Sequence, residues 1–417
     1  MGIAAAYRAG APSLRGLLYG VAFLLMHITL AAAILILVDV AFWRRLPSVG
    51  RKAIVLMGLF AFSTLTGLII THFSAPNPMF EKLALAMVFL AIMAFILGAE
   101  RRPEDLRRIL LTCILTVLVG NFLGEMAGLG ASSLYLGRSQ NMMLAGLGYF
   151  FRTQYPFTFG INSYGTLLGL FIVVATVDLI SKRSWLALAC ICLSAFELAM
   201  TDSRGALVAA AISVPIAIFS LRGRTAVAAT IASFVSVPTL MILAGPVQDV
   251  FGGFSRQGVD VTSGRLYWWQ LLLDRLPGQV ESWWLGFGLA GTSSLNISMG
   301  SLKQFEGYRL TADALPGAHN LWLQAFLDGG FFKIIVLLVL FVTLFNSVKN
   351  FPVLPKRMAL CVVYVPLVGI MESSFDSSRF EMLFIIFSLV GMAFAGQFAA
   401  QRQAVKDRPD QKLAAIT

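Results

Sequence analysis

Long runs of apolar residues, almost free of charge, recur from one end of this chain to the other. They fall at 17–39, 53–72, 80–99, 108–124, 160–180, 184–201, 205–221, 226–244, 330–348, 357–374 and 379–398. A run of about 20 such residues, wound as a helix, crosses the hydrocarbon core of a bilayer. Within lipid every backbone polar group must find its partner inside the protein, which leaves only helices and closed barrels. A barrel strand alternates apolar and polar residues; these runs do not. The sequence therefore predicts an all-α polytopic membrane protein with about eleven or twelve transmembrane helices. Charged residues make up only 13% of the chain, about half the share of a soluble domain, so a water-soluble fold is excluded.

The formal net charge is +11. Lys and Arg gather in alternate loops: Arg44, Arg45, Arg51 and Lys52; then Arg101, Arg102, Arg107 and Arg108; then Lys182 and Arg183; Arg222 and Arg224; Lys349, Lys356 and Arg357; and in the tail Arg402, Lys406, Arg408 and Lys412. Such clusters mark cytoplasmic loops. The segments 73–79, 125–159, 201–205, 245–329 and 373–379 then face outward. No basic cluster is interleaved with stacking aromatics in a polar segment, so no nucleic-acid role is expected. Eleven spans put the N-terminus outside, although Arg8 and Arg15 precede the first; a second short span within 1–43 would make twelve. The chain divides into an N-terminal helix bundle (1–244), a large outer loop (245–329), C-terminal membrane helices (330–399) and a cytoplasmic tail (400–417). Cys113, Cys190, Cys192 and Cys361 all lie in apolar runs and read as small buried hydrophobes. No cleavable leader is expected ahead of the first span.

A polar insertion as long as 245–329 is usually functional. Five of the seven Trp (Trp268, Trp269, Trp283, Trp284 and Trp322) fall in it or just after it. They fit an interfacial aromatic belt or a surface for a lipid-linked or sugar ligand. Ser263 makes a good N-cap and Pro277 a stop. The Trp-rich amphipathic helix between them is expected to lie along the membrane surface.

Three residues in this outer half stand at predicted helix starts. His319 follows the break at Pro316-Gly317 and precedes a helix that runs from Leu321 toward Gly329-Gly330, where unsatisfied N–H groups and the positive dipole end gather. The other two His, His27 and His72, lie in or beside apolar runs. A lone His is more often structural than catalytic. Arg265 sits in a first helical turn, where the dipole disfavours a cation; it is either a solvated surface residue or half of an anion site. Arg204, in Thr201-Asp202-Ser203-Arg204-Gly205, opens a span behind a cap at Asp202 or Ser203. It pairs with Asp202, snorkels or serves a ligand. Three such cases on one face suggest a convergent site for phosphate or pyrophosphate, which helix N-termini and guanidinium groups suit.

Ser203-Arg204-Gly205 opening a span, Ser263-Gly264-Arg265-x-x-x-Trp269 in the long loop, and Ala318-His319-Asn320-x-Trp322-Leu323-Gln324 closing it resemble the signature of the bacterial O-antigen ligase family. The resemblance implies a metal-independent, inverting glycosyltransferase of the inner membrane that needs no cofactor and faces the periplasm. It would move a polysaccharide from undecaprenyl pyrophosphate to the outer-core sugar of lipid A–core oligosaccharide, among membrane lipids. His319 would act as base, and Arg204 and Arg265 would bind the pyrophosphate. The residues agree: no Asp-x-Asp pair lies on the outer face and no cluster has metal-ligand spacing, so fixed positive charge would stabilise the departing group. Asn320 and Trp269 belong to the same motifs. In the later acidic cluster, Glu372 or Asp376 would orient His319 or hold Arg265, or the charges would pair with one another. Glu125 and Glu197 gain no role from the sequence. An O-antigen polymerase would share the donor, and Arg275 and Gly286 match its Arg-x10-Gly element, but the single dominant loop favours a ligase. A lipid-linked glycan transporter would need repeats or midplane charge, and neither is evident.

Overall fold

The computed structural model describes residues 12–24, 51–74, 78–100, 102–129, 141, 143–144, 152–158, 160–219, 223–242, 265–289, 318–348, 351–372 and 380–406. Among them the secondary structure is helical throughout, with no strand. In chain order the α-helices are α1 (Pro12–Leu24), α2 (Arg51–Ser74), α3 (Pro78–Glu100), α4 (Pro103–Met126), α5 (Ile161–Lys182), α6 (Trp185–Thr201), α7 (Arg204–Phe219), α8 (Arg224–Ile242), α9 (Arg265–Arg275), α10 (Leu321–Ser347), α11 (Val353–Leu360), α12 (Tyr364–Val368) and α13 (Phe380–Lys406). Among the described residues four helices are long and apolar enough to cross a membrane (α2, α4, α5 and α10), and stretches of α3, α6, α7 and α13 are apolar but shorter.

Helix α5 is the axis of the fold: 72% of its apolar window is enclosed by protein, against 39% for the peripheral α2. It packs on α6 and α7. Other pairs meet through small residues, as helices do where water supplies no driving force. A Cβ at Gly16 or Gly20 of α1 would lie 2.8 Å or 2.4 Å from the Cβ of Thr112 or Thr116 on α4. Gly98 of α3 and Gly391 of α13 each lie against the other helix's backbone. At the end of α4 that carries its basic cluster, Arg107 Nη1 donates to both oxygens of the fully buried Asp178 on α5, at 2.8 and 2.9 Å. Pro103 at the helix start and Glu104 and Asp105 in the first turn suit the dipole there.

One expected element comes out differently and two come out as the sequence indicates. The run 357–374, expected as one helix, is through residue 372 a succession of α11, a 3-10 turn Cys361–Val363, α12 and a turn at 369–372. Pro366 lacks the N–H that a continuous helix would use, and the chain leaves the helix at Gly369, which lies directly against Leu321 of α10. Pro277 marks the end of the α-helix as expected: α9 stops at Arg275, and a 3-10 helix, Leu276–Trp283, follows with Pro277 in its first turn. As the sequence indicates, helix α10 is interrupted at Gly329 (φ −153°, ψ 18°) and Gly330 (φ 64°, ψ −161°). The second pair of angles is open essentially only to glycine. The segment 283–289 docks into the break: Phe287 N–H donates to Leu327 O at 2.7 Å and Phe332 N–H to Trp284 O at 3.2 Å.

Candidate functional site

The turn after α12 gathers three helix starts. Asn320 caps α10, its side-chain oxygen accepting from Trp322 N–H and Leu323 N–H at 2.9 Å each. Its amide donates to Ile370 O at 2.9 Å, and Leu321 N–H donates to Gly369 O at 2.7 Å. The start of α7 meets the same turn, where a Cβ at Gly205 would lie 3.5 Å from Met371 Cβ. Helix α9 is tied in by the fully buried Trp269, whose indole N–H donates to Ala318 O at 2.7 Å.

Glu372, next along that turn and only 6% exposed, bridges two of the predicted site residues. Its Oε1 accepts from Arg265 Nη2 at 2.5 Å and its Oε2 lies 3.2 Å from His319 Nδ1. A carboxylate only accepts hydrogen bonds, so in the neutral imidazole the proton belongs on Nδ1. The lone pair is then on Nε2. The His319 side chain is 35% exposed and that of Arg265 17%, so the imidazole is the more open end of the bridge. His319 has φ 50°, a left-handed backbone uncommon in a residue with a Cβ.

The remaining predicted positions divide. Arg204 opens α7 as expected, beside Gly205 and Met371, and its Nε lies 3.7 Å from Asp202 Oδ1. The pairing with Asp202 is therefore present, with Arg204 still 34% exposed. Ser203 does not work as the anticipated side-chain cap. Asp202, at φ 50°, ends α6 in the left-handed conformation, and the Ser203 hydroxyl is buried against Gly165 without a hydrogen bond. Asn320 and Trp269 hold backbone in place rather than facing an open site. Asp376, Ser263 and Gly264 lie outside the described residues. The first turn of α10 also departs from expectation, because Leu321, Trp322 and Leu323 N–H all have partners within the protein. The positive charge here resides on the guanidinium groups of Arg204 and Arg265 instead.

The Trp cluster is corrected too. Trp269 and Trp322 are buried, and the Trp322 indole donates to Ser233 Oγ at 3.1 Å; neither belongs to a surface belt. Trp284, with Val280 and Leu285 beside it, is exposed. Helix α9 buries Trp269 and Leu272 in the protein core instead of resting wholly on a surface. Glu197 is fully buried and accepts from the Tyr164 hydroxyl. Tyr155 stands 5.2 Å from the Tyr164 ring, and burial together with the Glu197 and Glu125 carboxylates pushes its phenol up. Arg152 donates to Thr201 O at 2.8 Å and Asn141 to Ala199 O at 2.7 Å. These bonds close the carbonyl end of α6, where a cation suits the dipole.

Sequence reasoning gave no role to Gln324, Asp328 and Lys333, which continue from His319 along α10. An acid and a lysine flanking a Gly pair at the edge of an apolar run were the available signal. Comparison with protein-family models finds none that matches, and comparison with curated proteins finds no significant relative.

Proposed function

We propose that this chain is a glycosyltransferase of the O-antigen ligase type. It would lie in the inner membrane with eleven or twelve spans, and the Arg204, Arg265 and His319 end would face the periplasm. The donor is a glycan on undecaprenyl pyrophosphate and the acceptor a hydroxyl of the outer-core sugar of lipid A–core oligosaccharide. One observation carries the reading: an imidazole and a guanidinium, 54 residues apart in sequence, share one buried carboxylate where three helix starts converge. The three short motifs and the basic-loop pattern support it.

In the proposed reaction His319 Nε2 takes the proton of the acceptor hydroxyl while its oxygen attacks the anomeric carbon of the donor. The bond from that carbon to the pyrophosphate oxygen breaks in the same displacement, so the anomeric configuration inverts. Glu372 holds the imidazole with Nε2 available and stabilises the imidazolium that forms. Arg265 and Arg204 meet the charge on the departing pyrophosphate. A base so placed contributes on the order of 10²–10⁴ in rate, and each fixed donor about 10²–10³.

The test uses purified protein in nanodiscs with a lipid-linked glycan donor. His319→Ala is expected to abolish transfer while donor binding persists. Arg204→Ala and Arg265→Ala are expected to weaken binding of undecaprenyl pyrophosphate. A folded His319→Ala protein that transfers at near the wild-type rate removes the base assignment. If a lipid-linked repeat unit outcompetes lipid A–core as acceptor, the enzyme is a polymerase.

A further inference from the structure

We propose that Gln324, Asp328 and Lys333 form a buried positioning relay that fixes the backbone carrying His319. The proposal deepens the transferase reading and rests on it for its kinetic arm. Lys333 Nζ donates to Asp328 Oδ2 at 2.8 Å, Gln324 Nε2 donates to Asp328 Oδ1 at 2.6 Å, and Ala318 N–H donates to Gln324 Oε1 at 2.8 Å. Asp328 is 5% exposed and Lys333 2%.

The chain of bonds has a direction. An ammonium only donates and a carboxylate only accepts. Lys333 therefore holds Asp328 as an acceptor on both oxygens, and Asp328 decides which end of the Gln324 amide it meets. The NH₂ end must face the carboxylate, so the carbonyl end must face Ala318. Ala318, the residue before His319, is thereby gripped at both of its backbone groups, its N–H by Gln324 and its C=O by Trp269. Asn320, on the other side of His319, is bonded to Ile370 O and to the first turn of α10. A left-handed residue with a Cβ persists only where its surroundings over-determine it, and these bonds do so.

The break in α10 makes the relay possible. Asp328 and Lys333 are five positions apart, which on an unbroken helix would set them about 140° apart around the axis. The angles at Gly329 and Gly330 turn them toward one another. A Cβ at Gly329 would lie 2.7 Å from Lys333 Cβ, and one at Gly330 2.4 Å from Trp283 O. The glycine pair, the lysine and the docked segment 283–289 thus form one device on the helix whose N-cap, Asn320, directly follows His319.

A swap of acid and amide tests the relay. In Asp328→Asn, Lys333 occupies the amide oxygen and the new NH₂ faces Gln324. Gln324 must then turn its own NH₂ toward Ala318 N–H, donor against donor. Adding Gln324→Glu restores an acceptor at every donor with the net charge unchanged. Full-length protein in nanodiscs is read in two ways: by kcat with a polyprenyl-pyrophosphate glycan donor, and by hydrogen exchange at the Ala318 amide. Asp328→Asn is expected to lower kcat about 10- to 100-fold with donor KM held within about threefold, and to speed Ala318 exchange at least about tenfold. The double variant is expected to recover both. Unchanged kcat and exchange in Asp328→Asn, or a folded double variant that recovers neither, overturns the relay. If the double variant does not fold, Gln324→Ala decides: lost Ala318 protection supports the relay and wild-type protection overturns it. If the wild-type protein transfers no glycan, the transferase reading falls, and the relay stands or falls on exchange alone.

Discussion

Replacing Glu372 by Gln changes one atom and should do more harm to transfer than removing the side chain beyond Cβ. Arg265 carries only donors, so the carbonyl of the new amide must take over the oxygen that faces Arg265 Nη2 at 2.5 Å. The amide NH₂ is then left facing His319 Nδ1, 3.2 Å away in the native pair. A donor in that position makes Nδ1 the acceptor and moves the ring proton to Nε2, the atom that receives the acceptor's proton in the proposed reaction. A catalytic imidazole held in the wrong tautomer by such an acid-to-amide change loses on the order of 10²–10⁴ in rate, about 3–5 kcal/mol on the barrier. Glu372→Ala leaves the ring to choose its own tautomer, so its loss should be smaller even though Arg265 loses a partner. Single-turnover transfer with saturating lipid-linked donor in nanodiscs, normalised to folded protein, gives the order: wild type, then Glu372→Ala, then Glu372→Gln. A Glu372→Gln protein within about tenfold of wild type, or faster than Glu372→Ala, refutes the tautomer argument.

Two structural predictions accompany it. Asn320→Ala removes the cap on Trp322 and Leu323 and leaves Ile370 O without its donor. The lost cap and the orphaned carbonyl together should lower stability by about 2–4 kcal/mol in denaturant titration of the detergent-solubilised protein, and a change under about 1 kcal/mol contradicts the capping account. Arg107→Met strips the fully buried Asp178 of its guanidinium and should lose about 3–5 kcal/mol; adding Asp178→Leu should return most of it, and no recovery would mean that Arg107 acts through packing.

The helices were legible because their signals are local. Arg204, Arg265 and Leu321 begin α7, α9 and α10 as the cap residues and chain breaks around them indicate, and Gly329-Gly330 ends the first part of α10 where the apolar pattern changes. The contacts between helix starts were legible only as alternatives, with Glu372 or Asp376 expected at His319 or Arg265. Glu372 lies 107 residues from Arg265 and 53 from His319, and its neighbour in the acidic cluster, Asp376, looked equivalent. Glu372 is set by the turn at 369–372, which follows where Pro366 and Gly369 interrupt the regular helix within a run that hydropathy reads as one span. Hydropathy counts side chains, whereas the break depends on one missing N–H and one missing Cβ. The relay was hidden for a related reason: Asp328 and Lys333 have a spacing that no regular helix would bring together.

The bridge also alters the electrostatic picture that composition suggests. Counting Arg204, Arg265 and His319 predicts a cationic pocket, but Asp202 lies near Arg204, and Arg265 faces Glu372 directly. The net positive charge at rest is therefore much less than the count implies, and a diphosphate would not be gripped for charge alone. In the proposed reaction the missing charge appears during the displacement itself. As His319 takes the acceptor's proton, an imidazolium forms beside the Glu372 carboxylate. Two unit charges about 4 Å apart at an effective dielectric near 20 attract by about 4 kcal/mol, less where the imidazole meets water. Glu372 is then shared between two cations instead of one, and Arg265 is released in part toward the pyrophosphate just as that group gains charge. Stabilisation that grows along the reaction coordinate lowers the barrier, whereas equal grip on substrate and transition state does not. In the proposed reaction a carboxylate between His319 and the Arg265 guanidinium therefore favours the transition state over the bound donor, which gives an acid a reason to stand at the centre of a site proposed for an anion.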